Sequence, residues 1–378
     1  MAPAHDERRP AIGICGSYGG LNTGDEAILT VALGQLRAAV PGVELAVFTR
    51  DCEHTVRHHD VERCIDARSA LRDELEDEVA RLDLLLVGGG GILYDREAEY
   101  YLHLPRIAQA IGVPTATYAI GVGPLERRGE RSAVAEVLNG MERITVRSVR
   151  DRRLLEEIGV AQDVIVTADP AVLLQPSPSS VLREQGLRSS GLRLVGMSVR
   201  EPGGAASGVE DGVYHRLLAH AGDYAAERFD ADVVFIPMER ADVREAHRVI
   251  AEMGLPDRAS VLKAPLAPRE ALDTIGQLDM AIGMRLHFVI FAALNGLPVL
   301  ALPYAPKVAS FLEQVGLPTP RLVEREHAGV LLAAIDRMWD LREEFGRLVP
   351  PAIAGMQDQA RRTPGLIAEL LPTEKVNA

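Results

Sequence analysis

Short apolar runs alternate with amphipathic stretches along the whole chain, and glycines recur where the apolar runs stop. Residues 11–15 (AIGIC) read as a strand, and 27–36 carry the spacing of a helix. Residues 43–48 and 82–87 are further strands, with a charged helical segment between them. Residues 100–110 read as helix, 114–120 as strand, 144–148 as strand, 150–158 as helix and 164–166 as strand. A stretch rich in Pro, Ser and charge, 175–192, reads as a linker. The pattern then restarts. Strands are expected at 194–199, 232–237, 260–263, 279–282 and 298–302, with helices at 213–229, 243–253, 268–275, 288–294 and 308–315. The tail, 331–371, is mainly helical and is expected to be interrupted at Pro350-Pro351. Strands alternating with helices, with glycines at strand carboxyl ends, imply an α/β fold built on doubly wound parallel sheets.

Length adds a domain count. A chain of 378 residues exceeds one ordinary core. The linker divides it into 1–180 and 190–340, two Rossmann-like halves, followed by a helical segment, 341–378, that could cross back. The formal net charge of −13 excludes general nucleic-acid binding, which needs a basic field. It leaves room for small anions held by local arginines. Cys15, Cys52 and Cys64 show neither metal spacing nor a disulfide framework, so a reducing cytoplasm is expected. No run approaches the roughly 18–20 apolar residues that span a bilayer, so any membrane contact would be peripheral.

The chemistry gathers at strand ends. Gly283-Met284-Arg285-Leu286-His287 follows an apolar strand and opens an apolar helix. Arg285 is a permanent cation able to grip carboxylate or phosphate. His287, two residues on, can exchange a proton near neutrality. An anion there would also meet the free N–H groups of a helix N-terminus. The competing account is an ion-paired arginine and a core histidine. The loop from Gly16 to Glu26 contains Gly24 and Asp25 and lacks both the Rossmann and the Walker spacing, so it carries no nucleotide fingerprint. Asp25 could equally cap the following helix. Gly88-Gly89-Gly90-Gly91 follows the 82–87 strand, with Asp95 just beyond. Such a glycine run marks close approach of a ligand or of other backbone. Arg147, Arg200, Arg285 and Lys307 all fall at or after strand ends, where ligands bind in such sheets. Singly, each arginine reads as a surface ion pair, and Asp169 before Pro170 reads as turn chemistry. Together they suggest handling of a small, multiply charged anion by cationic side chains, with no metal-ligand cluster.

GGLNTGDEAI, LLLVGGGGILYD, YAIGVGP, ITVRS, TADPA, GMRLH and PYAPKV, in that order, resemble the polysaccharide pyruvyl transferase family. The resemblance runs from Gly16 to Leu317. It implies a GT-B-like fold, two Rossmann-like domains facing a cleft, and transfer of the pyruvyl group of phosphoenolpyruvate to sugar hydroxyls as a cyclic ketal. It assigns His287 as general acid, with Arg285 and Arg147 holding phosphate and carboxylate and with Arg200 and Lys307 as further cations. Gly24, Gly89 and Gly90 would approach the ligand, and Asp25 or Asp95 would take the acceptor proton. No cofactor or metal is implied. The partners would be phosphoenolpyruvate and a sugar acceptor, free, lipid-linked or nucleotide-linked, and an oligomer stays open. The chain departs from the pattern at Leu21-Asn22-Thr23-Gly24 and at Ser148, where aspartate is frequent and Asp151 follows three residues later. Two alternatives remain. One is a GT-B glycosyltransferase using a nucleotide sugar, for which Glu239 would be the ribose-binding acid. The other is a non-catalytic binding protein of the same fold.

Overall fold

The computed structural model describes residues 9–20, 22–187, 191–201, 211–302, 305–318 and 328–372. Two compact units divide the chain. The first is Met1–Gly20, Asp25–Leu173 and Met356–Ala378, and the second is Leu21–Gly24 and Leu174–Gly355.

In the first unit, β1 (Ala11–Cys15), α1 (Thr23–Ala39, in this unit from Asp25 on), β2 (Glu44–Thr49), α2 (Cys52–His58), β3 (Arg63–Asp66), α3 (Arg72–Ala80) and β4 (Leu84–Val87) come first. There follow β5 (Gly90–Leu93), α4 (Ala98–Ala110), β6 (Thr115–Thr117), β7 (Ile120–Val122), α5 (Arg128–Asn139), β8 (Ile144–Val146), α6 (Val149–Glu157) and β9 (Val164–Val166). The strands form parallel sheets in the orders β3-β2-β1-β4-β6 and β5-β7-β8-β9. Strands such as β1 and β4 are buried along their whole length, so they read as unbroken apolar runs. The expected single strand at 114–120 is two. Ala119, at φ +51°, turns the chain between β6 and β7. Thr117 and Thr145 exchange backbone and side-chain hydrogen bonds there and tie the two sheets together.

The second unit runs α7 (Val181–Glu184), β10 (Arg193–Ser198), α8 (Asp211–Phe229), β11 (Ala231–Phe235), α9 (Arg240–Ala251), β12 (Ala259–Val261) and α10 (Pro268–Gly276). It continues through β13 (Met280–Gly283), α11 (Leu286–Leu294), β14 (Val299–Ala301), α12 (Pro306–Gln314), α13 (Ala328–Asp340) and α14 (Arg342–Ala360), the last of which passes into the first unit at Met356. Its parallel sheet has the order β12-β11-β10-β13-β14. The last helix, α15 (Thr363–Ala368), and the turn after it pack Ile367 and Leu371 into the first unit's core with Leu29 and Leu36 of α1.

Three expectations change. The tail is not interrupted at Pro350-Pro351, because α14 runs through both. Each proline forfeits a backbone hydrogen bond, but Phe345, Val349, Ile353 and Met356 are all buried on one stripe that holds the helix. The linker is not free chain: Ser177 and Ser179 hydrogen-bond to Arg269 and Asp273 of α10. Cys52 and Cys64 form a disulfide. The turn after α2 brings its first residue beside β3, a closure that a spacing of 12 does not reveal. The cysteine count therefore no longer argues for a reducing compartment. Gly203 and Gly204, which follow Arg200 in sequence, lie outside the described residues.

Candidate functional site

In the second unit the site is built at the carboxyl end of β13. Arg285 caps α11 and His287 occupies its first turn, on a helix whose residues 286–293 are all buried. Arg285 is 6% exposed and His287 8%. The Arg285 fork is spent on two carboxylates. Its Nη1 and Nη2 reach Glu239 at 2.9 and 2.7 Å, and its Nε reaches Asp242 at 3.0 Å, with a further bond from Nη2 to Asp242. Local sequence explains this: Glu239 precedes α9, and Asp242 in its first turn accepts the backbone N–H groups of Met238 and Glu239. Burial raises the Glu239 carboxyl, yet Arg285 and Asn22 hold it below its ordinary value. At Asp242 burial prevails over Arg285 and the carboxyl lies above its ordinary value.

The segment 22–24 belongs to this unit. The Asn22 amide donates to Glu239, Thr23 N–H donates to the Met238 carbonyl at 2.9 Å, and Gly24 N–H donates to the Asn22 side chain at 2.8 Å. Gly24 thereby lies against the His287 ring so closely that a Cβ there would stand 1.8 Å from Nδ1. The structure thus joins Gly24, Arg285 and His287 in one cluster. Arg200 is half-buried and donates from Nε to the Glu201 carbonyl at 2.8 Å, and its charge is felt at Glu239. Lys307 sits half-buried in the first turn of α12.

A second cluster lies in the first unit. Arg147 follows β8 and pairs with Asp169 at 2.9 Å, both buried. Burial works against the guanidinium's charge, but Asp169, Asp151 and Asp25 raise its pKa above the ordinary value. Asp169 also accepts the Ala171 N–H, so its turn role and its ion pair coexist. Asp151 accepts from Ser148 and from the Val122 N–H, and burial raises its pKa. Gly121 leaves the space that the Arg147 guanidinium fills. Asp25 faces Gly90, which opens β5 at φ +101°, and Gly89 backs onto Ile28 and the Tyr118 carbonyl. Asp95 is apart from this cluster, and its carboxylate holds the Glu126 and Arg127 N–H groups. Among the described residues, no group of three His, Cys, Asp or Glu side chains could hold a metal.

The profile of the polysaccharide pyruvyl transferase family matches residues 22–306, from Asn22 of the His287 cluster to the first residue of α12. The chain belongs to the polysaccharide pyruvyl transferase family. No curated protein matches it significantly. Solved structures place this family member among GT-B-like α/β proteins. A putative UDP-N-acetylglucosamine 2-epimerase from Listeria monocytogenes is 14% identical with a TM-score of 0.64, 94% of each chain being covered. The UDP-GlcNAc 2-epimerase of Methanocaldococcus jannaschii is 10% identical with a TM-score of 0.65, covering 95% of this chain and 99% of that one. A UDP-glucose:anthocyanidin 3-O-glucosyltransferase is 10% identical with a TM-score of 0.62, covering 96% and 99%. At such identities the likeness shows the fold alone. Among the described residues no helix is long and apolar enough to cross a membrane.

Three features of this pyruvyl transferase family member escape the sequence reading. Glu26 clamps the first loop, accepting the Gly19 and Gly20 N–H groups at 2.9 Å and pairing with His59 at 2.7 Å. Asp242 binds Arg285, and only its capping distance from Glu239 hinted at it. Arg50 follows β2 as Arg147 follows β8, so the rule that selected Arg147 would also have selected Arg50.

Proposed function

We propose that the chain transfers the pyruvyl group of phosphoenolpyruvate to two hydroxyls of a sugar in a cell-surface polysaccharide or its precursor, forming a cyclic ketal and releasing phosphate. The observation that carries this is His287: an imidazole in the first turn of a helix buried from Leu286 to Ala293, fixed against Gly24 and flanked by the Arg285 carboxylate cluster. Protonation of the donor methylene by His287 makes the adjacent carbon electrophilic. One acceptor oxygen bonds to that carbon as its proton passes to Asp25. The carbon–oxygen bond to phosphate then breaks, phosphate departing with the electron pair, and the second hydroxyl bonds to the same carbon as its proton passes to the departing phosphate. Arg200 and Lys307 are the cations assigned to the phosphate, and Arg147 the one assigned to the donor carboxylate. Arg285, saturated by Glu239 and Asp242, is given a positioning role. The reaction uses side chains only and so should proceed in chelator.

Glu239 does not support the glycosyltransferase alternative, because both its oxygens are bound to Arg285 and one also to Asn22. The test is phosphate release from phosphoenolpyruvate over a panel of hexose acceptors, in chelator. Acceptor-dependent release that falls about 10²- to 10⁴-fold in His287→Ala is expected. Near-normal turnover in that variant removes His287 as the acid. No release with any acceptor, but thermal stabilisation by a nucleotide sugar, would replace the reading with glycosyl transfer.

A further inference from the structure

A cavity of about 360 Å³ opens in the first unit at the carboxyl ends of the strands. Its floor is Cys15 and Gly16 after β1 with Phe48 and Thr49 of β2, and its cover is Tyr100, Tyr101 and His103 of α4. This is the end of a parallel sheet where ligands bind, and the size suits a small molecule. Nothing assigned above uses it.

Apart from Glu99 and His103 its lining holds no Asp, Glu, Lys, Arg or His side chain. The Cys15 thiol is pushed up to about 12 by burial, so it contributes no charge. Glu99 at the rim is paired with Arg106. Thr49 shares its hydroxyl hydrogen bond with Thr55 at 2.9 Å. Tyr101 is buried, its hydroxyl accepting from Arg50, while Tyr100 stands at the mouth 40% exposed and edge-on to Tyr101 at 5.1 Å. The lining is therefore aromatic and apolar, with an imidazole and a compensated carboxylate at the rim. Phosphate or a carboxylate would find no uncommitted cation in that wall. A ring with an apolar face and hydroxylated edges matches it: the face lies on Tyr100 and the edges reach His103 and Glu99.

We propose that this cavity binds a neutral pyranose ring of the acceptor, with Tyr100 as its stacking platform. The proposal rests on the pyruvyl-transfer reading for the word acceptor, while sugar binding itself is independent of it. The probes are methyl glycosides of glucose, galactose, mannose and N-acetylglucosamine. Binding is measured by saturation-transfer NMR, and KM values are measured for any glycoside that is pyruvylated. Tyr100→Ala should raise the acceptor KM about five- to tenfold, the worth of one aromatic face. It should leave the phosphoenolpyruvate KM unchanged, and Tyr100→Phe should stay within about twofold of wild type. Ala67→Phe, which narrows the cavity without removing a polar group, should also raise the acceptor KM. If transfer proceeds and both Tyr100→Ala and Ala67→Phe leave the acceptor KM unaltered, the cavity is not the acceptor site, and pyruvyl transfer stands. If no glycoside is pyruvylated but a sugar signal is present and lost in Tyr100→Ala, the cavity stands as a sugar site and the reaction assigned above falls. No signal with any glycoside, or displacement of the signal by inorganic phosphate, overturns the proposal.

Discussion

Gly24 offers a test in which two physical effects predict opposite signs. It lies in the first turn of α1, where replacing glycine by alanine ordinarily stabilises a helix by up to about 1 kcal/mol. Against this, the new Cβ would stand 1.8 Å from His287 Nδ1 and 2.2 Å from its Cγ, where ordinary contact begins near 3.4 Å. The ring or the segment must therefore retreat by roughly 1.5 Å. The segment is held by Thr23 on Met238 and by Asn22 on Glu239, and the ring sits on a buried helix, so neither yields freely. Overpacking of this kind costs about 1–3 kcal/mol, more than the helix gain. A displacement of about 1 Å at a catalytic group costs on the order of 10²-fold in rate. Gly24→Ala should thus lower the melting temperature and cut phosphate release about a hundredfold. Gly34→Ala, on the same helix with nothing within 4 Å of its Cβ, is the control and should leave activity unchanged and stability equal or higher. Melting is followed by circular dichroism and by Trp339 fluorescence, since that indole stacks on Phe229. If Gly24→Ala is as stable as Gly34→Ala and retains activity within about threefold, the packing of Gly24 on His287 is wrong.

Other outcomes follow from the two buried clusters and the loop clamp. Asp242→Ala leaves Arg285 with half its counter-charge and should destabilise by about 3–5 kcal/mol in chemical denaturation. Arg147→Ala, which strands Asp169 in the core, should cost a similar amount, and Arg147→Met with Asp169→Leu should recover most of it. Burial raises the Glu26 carboxyl, but His59 and the Gly20 and Gly19 N–H groups bring it below the ordinary 4.5. A carboxyl lowered in the folded state adds stability that is present above its ordinary pKa and lost as pH falls through the lowered value. Stability should therefore fall below about pH 4.5 more steeply in wild type than in Glu26→Gln, measured by denaturation midpoint against pH. Unreduced, denatured protein should titrate one thiol, that of Cys15, and reduced protein all three.

By itself the sequence determined the α/β class and most of the strands, and it singled out the strand ends where chemistry is expected. Parallel strands buried on both faces must be unbroken apolar runs, and glycines must stand where the backbone turns at their carboxyl ends. For that reason β1 is read to the residue, and GMRLH is read as a strand end opening a helix. What those residues bind was decided only by the tertiary structure. Arg285 reads as an anion clamp along the chain, yet its partners Glu239 and Asp242 lie 46 and 43 residues away, and nothing local records that they fill its fork. Asn22 meets Glu239 across 217 residues. The helix through Pro350-Pro351 and the Cys52–Cys64 pair were likewise settled by packing. Local preference prices each residue against its neighbours in sequence. A guanidinium, a proline or a thiol takes its role from neighbours in space.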